Sequence, residues 1–331
     1  MNIYVATPNG KERESFLPTE NIEFLESLGS VVWNESSKHL TPDQLRDALP
    51  NVDVVVCGWG CPRFTDEVLQ KANRLKLIAY TCGSVSNLVS DALYKRGIHV
   101  VCGNEAFARS VAEGTMAYML TALRNIPYIS RHTQERGWAP KVHLGETLLD
   151  QTVGIVGYGA ISRYLLDMLR PFNVKIKLYS SHLTDEQAQK LGVQKASLEE
   201  IFSTCKVVSL HCARNPQNYH LIHSGLLAML CDGAVLVNTA RGDVIDEPAL
   251  IREAQTGRIR VILDVYEQEP LPMDSGLRGL DNVILMPHQG GPTVDRRPAA
   301  ARLVLDDIYR FKMGMPMENL ISASRAAMMT H

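Results

Sequence analysis

Short runs of β-branched and aliphatic residues alternate with helical stretches along the chain. In the N-terminal part, apolar runs predict strands at residues 3–6, 31–33, 52–57, 75–80 and 98–101. Helical patterns lie between these runs, at residues 19–28, 42–49, 65–72 and 87–95. Strands that alternate with helices in this way are typical of βαβ units and of a parallel sheet.

A second alternating series begins near residue 150. It predicts strands at residues 152–156, 174–179, 207–210, 234–238, 260–263 and 283–285. These strands are apolar on both faces, as expected where helices cover both sides of a sheet. A helical pattern at 109–123 separates the two series, and another at 292–312 follows the last strand. The pattern therefore predicts an α/β protein with two doubly wound, parallel-sheet domains.

Composition and charge exclude several classes of partner. The 331 residues include 34 Lys and Arg and 36 Asp and Glu, which gives a formal net charge of −2. A near-neutral chain without a basic cluster has no general attraction to nucleic acid or to an anionic membrane surface. No apolar run approaches the roughly 20 residues of a membrane-spanning helix, and the first residues lack the pattern of a secretion signal. We expect a cytoplasmic protein that binds neither nucleic acid nor membrane.

The cysteines and histidines do not form a recognisable metal motif. The seven cysteines are odd in number, lie in apolar stretches and form no CxxC pair, so the sequence predicts buried, reduced thiols. Cys57 and Cys61 have no second Cys or His pair at zinc-finger spacing beside them. His220 and His223 stand three apart on a predicted helix, without the carboxylate and third ligand of a zinc motif. The sequence predicts no metal site.

The sharpest local motif is the glycine turn Gly157-Tyr158-Gly159-Ala160-Ile161. It follows a predicted strand and opens a predicted helix at 160–169. Gly157 permits a tight turn, and Gly159 lets the backbone approach a pyrophosphate, which the first helix amides would bind. Ser162 replaces the third glycine of the dinucleotide-binding pattern, where close packing of helix and strand needs a small residue. Taken alone, the motif fits either a dinucleotide site or a plain tight turn.

The residues at the end of the next strand bear on the choice of dinucleotide. The Rossmann pattern has an acidic residue about 20 positions after the glycines, where it accepts hydrogen bonds from the ribose hydroxyls. Here the strand at 174–179 ends in Ser180, Ser181 and His182, without a carboxylate. The change removes repulsion against a 2′-phosphate, although no Lys or Arg stands there to pair with one. The sequence leaves both NAD(H) and NADP(H) open, with a slight preference for NADP(H).

Two further polar side chains follow strands at the edge where doubly wound sheets bind ligands. Arg241 comes after the strand at 234–238, and its planar guanidinium suits a carboxylate. The segment alone fits a surface ion pair equally well. His288 follows the last predicted strand, and an acid/base role would need a carboxylate partner such as Glu269.

Six blocks of sequence, in order, resemble the D-isomer-specific 2-hydroxyacid dehydrogenases. The blocks cover nearly the whole chain at family-like spacings. They are SVAE at 110–113, the segment with the glycine turn at 153–161, VSLH at 208–211, VNTARGDVID at 237–246, LDVYEQEP at 263–270 and MPHQGG at 286–291. The resemblance implies two Rossmann-like domains: a discontinuous substrate-binding domain at 1–102 and 290–331, and an inserted dinucleotide-binding domain at 103–289.

The resemblance also implies the catalytic residues Arg241, Glu269 and His288. His288 protonates the carbonyl oxygen of a 2-oxo acid as hydride arrives from the dihydronicotinamide. Glu269 holds the imidazole and keeps it protonated, while Arg241 orients the carboxylate and carbonyl of the substrate. The implied activity is NAD(P)H-dependent reduction of a small 2-oxo acid, of the glyoxylate or hydroxypyruvate kind, to the D-2-hydroxy acid.

Further residues take their implied roles from the same blocks. Besides the glycine turn, Ser180 and Ser181, the implied cofactor-binding residues are His211, Cys212, Thr239, Ala240, Asp264, Gly290 and Gly291. The implied substrate-binding residues of the first domain are Trp59, Cys82, Gly83 and Ser84. The chain departs from the family pattern at Cys212, Ala213 and Ser86, which stand where a hydroxyl residue, a proline and an aspartate are usual. The departures at Cys212 and Ala213 weaken the implied cofactor contacts of that loop, and the departure at Ser86 weakens assignment to a particular subfamily.

A non-catalytic role is the alternative. Corepressors that share this fold bind a dinucleotide and use it to control assembly, so a sensor or scaffold would also keep the glycine turn. The presence of Arg241, Glu269 and His288 together favours a dehydrogenase, because a pure scaffold has no chemical need for all three. The resemblance also implies a homodimer.

Overall fold

The computed structural model describes residues 1–138 and 145–329, and the chain divides into two compact units. Unit 1 comprises Met1–Ala108 with Pro292–His331, and unit 2 comprises Arg109–Gly291. Each unit has its own parallel sheet. The α/β, doubly wound architecture predicted from the alternation of strands and helices is confirmed. Which unit binds the substrate and which binds the cofactor stays a prediction.

Unit 1 has a five-stranded sheet in the order β2-β1-β3-β4-β5. Its N-terminal elements are β1 (Asn2–Val5), α1 (Lys11–Phe16), α2 (Thr19–Leu28), β2 (Ser30–Trp33), α3 (Pro42–Ala48), β3 (Val54–Cys57), β4 (Leu77–Tyr80), α4 (Asp91–Lys95), β5 (His99–Cys102) and α5 (Asn104–Leu123), within which unit 2 begins. Successive side chains of a strand point to opposite faces, so β3 supplies two cores. Val55 and Cys57 pack into one core, and Val54 and Val56 pack into the other.

Unit 2 has a seven-stranded sheet in the order β12-β11-β10-β9-β6-β7-β8. Its elements after α5 are α6 (Ile126–Arg136), β6 (Thr152–Val156), α7 (Ala160–Leu169), β7 (Lys175–Tyr179), α8 (Asp185–Leu191), β8 (Gln194–Lys195), α9 (Leu198–Thr204), β9 (Val207–Leu210), α10 (Ser224–Met229), β10 (Val235–Asn238), α11 (Glu247–Gln255), β11 (Arg260–Leu263) and β12 (Val283–Leu285). The winding reverses between the neighbouring strands β6 and β9. Doubly wound sheets bind ligands at the carboxyl ends of the strands beside such a reversal.

The chain returns to unit 1 through α12 (Arg297–Lys312) and α13 (Ala323–Met328). Ala301, Val304, Leu305 and Ile308 form the buried stripe of α12 and join one of the unit 1 cores. Among the described residues, no helix is both long and apolar enough to cross a bilayer.

Three details of the sequence prediction are wrong. The helix predicted at 65–72 is a short 3₁₀ turn at Val68–Lys71. His220 and His223 do not share a helix, since His220 lies in a turn with a φ of +50° and His223 is the N-cap of α10. The seven cysteines are free, but only five are buried, since Cys61 is partly exposed and Cys231 is exposed.

One buried carboxylate ties α12 to the segment that leads into α13. Asp307 is fully buried and accepts hydrogen bonds from the backbone N–H groups of Glu318 at 2.7 Å and Asn319 at 2.8 Å. The side-chain Nδ2 of Asn319 donates a third bond at 2.9 Å, and Nη1 of Arg310 lies 3.6 Å away. Removing the carboxylate would leave these donors without their acceptor.

Replacing Asp307 with Ala is expected to lower the free energy of unfolding by about 3 kcal/mol, because it leaves the three donors of Glu318 and Asn319 without their acceptor. Chemical denaturation followed by circular dichroism measures the change. Asp306 is the matched control, since its carboxylate forms an exposed pair with Arg302 at 2.8 Å. Asp306→Ala should cost less than about 1 kcal/mol, and equal losses in the two variants would contradict the role given to Asp307.

Candidate active site

The predicted site residues of unit 2 lie along one edge of its sheet. Parallel strands end at the same edge, so loops that are far apart in the chain meet there. The glycine turn follows β6, Ser180 and Ser181 follow β7, His211 and Cys212 follow β9, Thr239 to Arg241 follow β10, Asp264 follows β11, and His288 to Gly291 come after β12.

The glycine turn has the geometry of an anion-binding site. Gly157 has a φ of +103°, and a Cβ on it would lie 2.7 Å from the carbonyl carbon of His211. Gly159 is the N-cap of α7, and no side chain of the described residues caps this helix. A Cβ on Gly159 would meet nothing within 4 Å. The first amides of α7 therefore have open space before them, which suits a pyrophosphate.

Hydrogen bonds hold the glycine turn against the neighbouring strand. The buried Ser162 donates from Oγ to the carbonyl of Gly157 at 2.7 Å. The backbone N–H of His211 donates to the carbonyl of Val156 at 2.7 Å, and Sγ of Cys212 lies 3.3 Å from the same oxygen. Ser162 thus meets the packing requirement of the third glycine and adds a bond that the sequence did not predict.

The turn after β7 offers hydroxyl groups where the dinucleotide pattern has an acid. Ser180 is partly exposed and Ser181 is exposed. Asp185 and Glu186 lie in the first turn of α8, which the Thr184 side chain caps. The carboxylates that follow this turn in the sequence are therefore charges at the start of α8, and Ser180 and Ser181 present hydroxyl groups instead.

Arg241 is fixed in place by contacts on both sides. The buried Asn238 accepts a hydrogen bond from the N–H of Ala240 at 3.0 Å and donates from Nδ2 to the carbonyl of Arg241 at 2.8 Å. The next residue, Gly242, approaches the backbone of Tyr266 so closely that a Cβ would lie 1.8 Å from the Tyr266 carbonyl carbon. This approach brings the loop of Arg241 beside the loop of Glu269.

The charge of Glu269 acts on the guanidinium of Arg241, whose Nη1 donates to the carbonyl of Ala240 at 2.7 Å. Burial lowers the pKa of Arg241, and the charge of Glu269 offsets part of that shift. The guanidinium remains a cation, because an arginine side chain does not lose its proton in a protein.

His288 and Glu269 form a hydrogen-bonded pair. Nδ1 of His288 lies 2.7 Å from Oε2 of Glu269, and Oε1 of Glu269 accepts from the N–H of Tyr266 at 3.0 Å. Both carboxylate oxygens are therefore engaged, and the bond at Nδ1 directs Nε2 of the imidazole away from the carboxylate. The side chain of His288 is 49% exposed, so Nε2 can be reached by a small molecule.

The structure places Asp264 against the loop that follows His288. Oδ1 of Asp264 accepts from the N–H of Gln289 at 2.8 Å, and Oδ2 accepts from the N–H of Gly290 at 2.7 Å. Tyr118 on α5 donates to Oδ1 at 3.3 Å. Burial raises the pKa of Asp264, although these donors act to lower it. Asp264 thus supports the backbone beside His288, whose φ is +54°.

Sequence reasoning missed two positioning residues on α5. Oγ1 of Thr115 lies 3.0 Å from Oγ1 of Thr239, and Tyr118 contacts Asp264 as described. The two residues stand three apart and therefore share a face of the helix. Their polar groups interrupt an otherwise apolar stripe, which is the signal that would have identified them.

The predicted substrate-binding residues of unit 1 follow β3 and β4. Trp59 is 38% exposed and packs edge-on against Phe16, with ring centroids 5.2 Å apart. Cys82 is buried, and burial raises the pKa of its thiol to about 12. Gly83 and Ser84 are partly exposed, so this loop offers its backbone and a hydroxyl rather than the Cys82 side chain. Their binding roles stay predictions.

Comparison with known proteins gives one consistent result. Residues 116–290 match the family model described as D-isomer specific 2-hydroxyacid dehydrogenase, NAD binding domain. The chain is 34% identical over 308 residues to the D-3-phosphoglycerate dehydrogenase of Methanocaldococcus jannaschii, covering 92% of this chain and 58% of that protein. It is 31% identical over 307 residues to the glyoxylate reductase of Pyrococcus furiosus, covering 90% of each.

A solved structure agrees with these relatives. The TT0316 protein of Thermus thermophilus superimposes with a TM-score of 0.80 at 25% identity, over 97% of this chain and 100% of that one. The chain spans between 50% and 59% of the length of four D-3-phosphoglycerate dehydrogenases that it matches.

The two glycines of the turn after β6 are expected to respond differently to alanine. Gly157→Ala should lower the free energy of unfolding by about 2 kcal/mol, because its Cβ collides with backbone at a positive φ. Gly159→Ala should leave folding within about 0.5 kcal/mol of the parent but weaken dinucleotide binding roughly tenfold, because its methyl group projects into the space before α7. Denaturation and titration with NADH and NADPH measure the two effects. Unaltered binding in Gly159→Ala would contradict the assigned site.

A second prediction follows from the buried imidazole of His211. Nε2 of His211 lies 2.9 Å from Oγ of Ser209, while Nδ1 is buried without a hydrogen-bond partner among the described residues. Burial lowers the pKa of His211 to about 4. Between this value and the ordinary value of about 6.5, the unfolded chain binds a proton that the folded chain excludes. His211 therefore makes folding less favourable as the pH falls through this window.

At about pH 5 this effect should cost about 2 kcal/mol of unfolding free energy relative to neutral pH. His211→Gln should remove that part of the pH dependence, and His182→Gln, at an exposed position, should not. Denaturation curves at both pH values measure the difference. The same pH dependence in the parent and in His211→Gln would refute the assignment.

Proposed function

Because the chain belongs to the D-isomer-specific 2-hydroxyacid dehydrogenase family, we propose that it reduces a small 2-oxo acid to the D-2-hydroxy acid with a nicotinamide dinucleotide. The observation that carries the proposal is the group of Arg241, Glu269 and His288 at the carboxyl edge of the unit 2 sheet. The names of the relatives, glyoxylate reductase and D-3-phosphoglycerate dehydrogenase, support this class of substrate rather than one acid.

In the proposed reaction His288 is the general acid. A bound dihydronicotinamide would supply the hydride to the carbonyl carbon of the substrate. Protonated His288 donates its Nε2 proton to the carbonyl oxygen, and in the reverse direction the neutral imidazole accepts the hydroxyl proton. Glu269 accepts the hydrogen bond from Nδ1 and stabilises the imidazolium, because its carboxylate lies 2.7 Å from that nitrogen.

Arg241 orients the substrate and stabilises developing charge. Its guanidinium presents a planar set of donors to the carboxylate of the substrate and to the adjacent carbonyl oxygen. The bonds from Asn238 and the close approach at Gly242 fix the backbone of this residue before substrate arrives. A donor that is positioned in advance stabilises the alkoxide-like transition state without further reorganisation.

The substrate class is tested by mixing the purified protein with NADH or NADPH and a panel of glyoxylate, hydroxypyruvate and phenylpyruvate. We expect oxidation of the dinucleotide with at least one acid and a D product by chiral chromatography. NADPH should serve at least as well as NADH, because Ser180 and Ser181 present no carboxylate to a 2′-phosphate. Dinucleotide binding without turnover on any acid would overturn the proposal in favour of a dinucleotide-sensing scaffold.

The acid/base pair is tested by substitution. His288→Asn is expected to lower kcat by about 10³-fold and Glu269→Gln by about 10²-fold, because each removes a group used in the transition state. The matched control is the pair His220 and Glu267, in which Nε2 lies 2.6 Å from Oε1. His220→Asn and Glu267→Gln should change kcat by less than about twofold, as expected for residues outside the proposed chemistry. Similar losses in both pairs would contradict the assignment.

A further inference from the structure

Unit 1 contains a pair of thiols that the proposed reaction does not use. Cys57 is the last residue of β3, and Cys61 follows it after the loop Gly58-Trp59-Gly60. The side chain of Cys57 is hydrogen-bonded to that of Cys61. Both side chains pack against the same core of unit 1. The two sulfur atoms are therefore in contact, which is the first geometric requirement for a disulfide.

The loop between the two cysteines turns back and brings Cys61 to the end of β3. The backbone N–H of Cys61 donates to the carbonyl of Gly58 at 3.4 Å, which closes the turn. Gly60 has a φ of +66°, and a Cβ on it would lie 2.6 Å from the imidazole of His39. This turn therefore requires glycine at position 60, and it holds the two thiols together in the reduced chain.

The two thiols differ in their access to solvent. Cys57 is fully buried, and burial raises the pKa of its thiol well above the ordinary value. Cys61 is partly exposed. An oxidant from solvent therefore reaches Cys61 first, while Cys57 stays protonated beside it. An accessible thiol with a second thiol next to it is the arrangement found in redox-sensing cysteine pairs, because the second thiol captures the oxidised first one.

A third cysteine, Cys82, follows β4 and lies beside the same loop. Its sulfur accepts a hydrogen bond from the N–H of Trp59 and lies 3.8 Å from Oγ1 of Thr81. Within the described ranges, no group of three or more His, Cys, Asp and Glu side chains is placed to hold a metal ion. The geometry of the cluster thus favours thiol chemistry over metal binding, and the hydrogen bond to Cys61 makes Cys57 its expected partner.

We propose that Cys57 and Cys61 form a redox-sensitive pair that a peroxide converts to a disulfide. In the first step the sulfur of Cys61 attacks one peroxide oxygen and the O–O bond breaks. Cys61 becomes a sulfenic acid, and its thiol proton leaves with the other oxygen as water when the oxidant is hydrogen peroxide. In the second step the sulfur of Cys57 attacks that of Cys61, the S–O bond breaks, and the hydroxyl leaves with the Cys57 proton as a second water. The two sulfurs together lose two electrons, which the peroxide gains.

The disulfide acts on Trp59, which lies between the two cysteines. The indole of Trp59 packs edge-on against Phe107, with ring centroids 6.1 Å apart, and lies 5.1 Å from Cζ of Arg297. An S–S bond of about 2 Å is shorter than a contact between two thiols, so it draws Cys61 toward β3. Oxidation therefore shifts the loop and the indole that it carries. Formation of the disulfide involves residues of unit 1 alone and does not depend on the proposed reaction.

Peptide mapping of the folded full chain tests the pair, in a Cys231→Ser background that removes the exposed thiol. After treatment with hydrogen peroxide, the remaining thiols are alkylated and the chain is digested with trypsin, which cleaves after Lys and Arg. The peptide at 47–63 contains both cysteines, and the peptide at 77–95 contains Cys82. We expect the first peptide to be unalkylated and lighter by two hydrogen atoms, and dithiothreitol to reverse this change. A Cys57 that is still alkylated, or a link between the two peptides, overturns the proposal.

Three added substitutions assign the bond, and circular dichroism verifies that each variant is folded. Cys61→Ser, at the partly exposed position, and Cys57→Ala should each abolish the disulfide, because each removes one of its sulfurs. Cys82→Ala is the matched control and should leave the yield of disulfide unchanged, and loss of the bond in this variant would refute the assigned pair. Tryptophan fluorescence should shift on oxidation in the Cys231→Ser chain but not after Cys61→Ser is added. Equal shifts in these two chains would contradict the effect assigned to the disulfide.

Discussion

The parallel pairing of the unit 2 strands is the constraint on which its candidate site depends. The neighbouring strands of that sheet all run in the same direction, so the loops after the strands all emerge at one edge. Parallel strands require crossover connections, which set the residues of this edge far apart in sequence. A guanidinium, a carboxylate and an imidazole can thus meet although three separate crossovers carry them.

Close approach between loops is the second requirement of this edge, and two glycines besides the glycine turn meet it. At Gly242 a side chain would overlap the Tyr266 backbone, and at Gly290 it would lie 2.7 Å from the Asp264 carboxylate. Each glycine lets one loop pack directly against the next. The loop of Arg241 thereby reaches the loop of Glu269, and Asp264 reaches the N–H groups after His288.

The sequence predicted the elements that have a strong period and the residues that carry a motif. The apolar strands and the glycine turn were accessible, because local chemistry determines them. The roles of Thr115 and Tyr118 were not, since their partners lie more than a hundred residues away in the chain.

The strand that leads to His288 lies at an edge of the unit 2 sheet. β12 has only three residues, pairs with β11 alone and is only partly buried. Such an edge strand exchanges its amide protons and frays before the central strands do. Just beyond the end of β12, Asp264 accepts hydrogen bonds from two backbone N–H groups, and Glu269 accepts one from the imidazole of His288. These three hydrogen bonds oppose fraying of the strand. The position of His288 therefore depends more on these side-chain hydrogen bonds than on the backbone hydrogen bonds between β11 and β12.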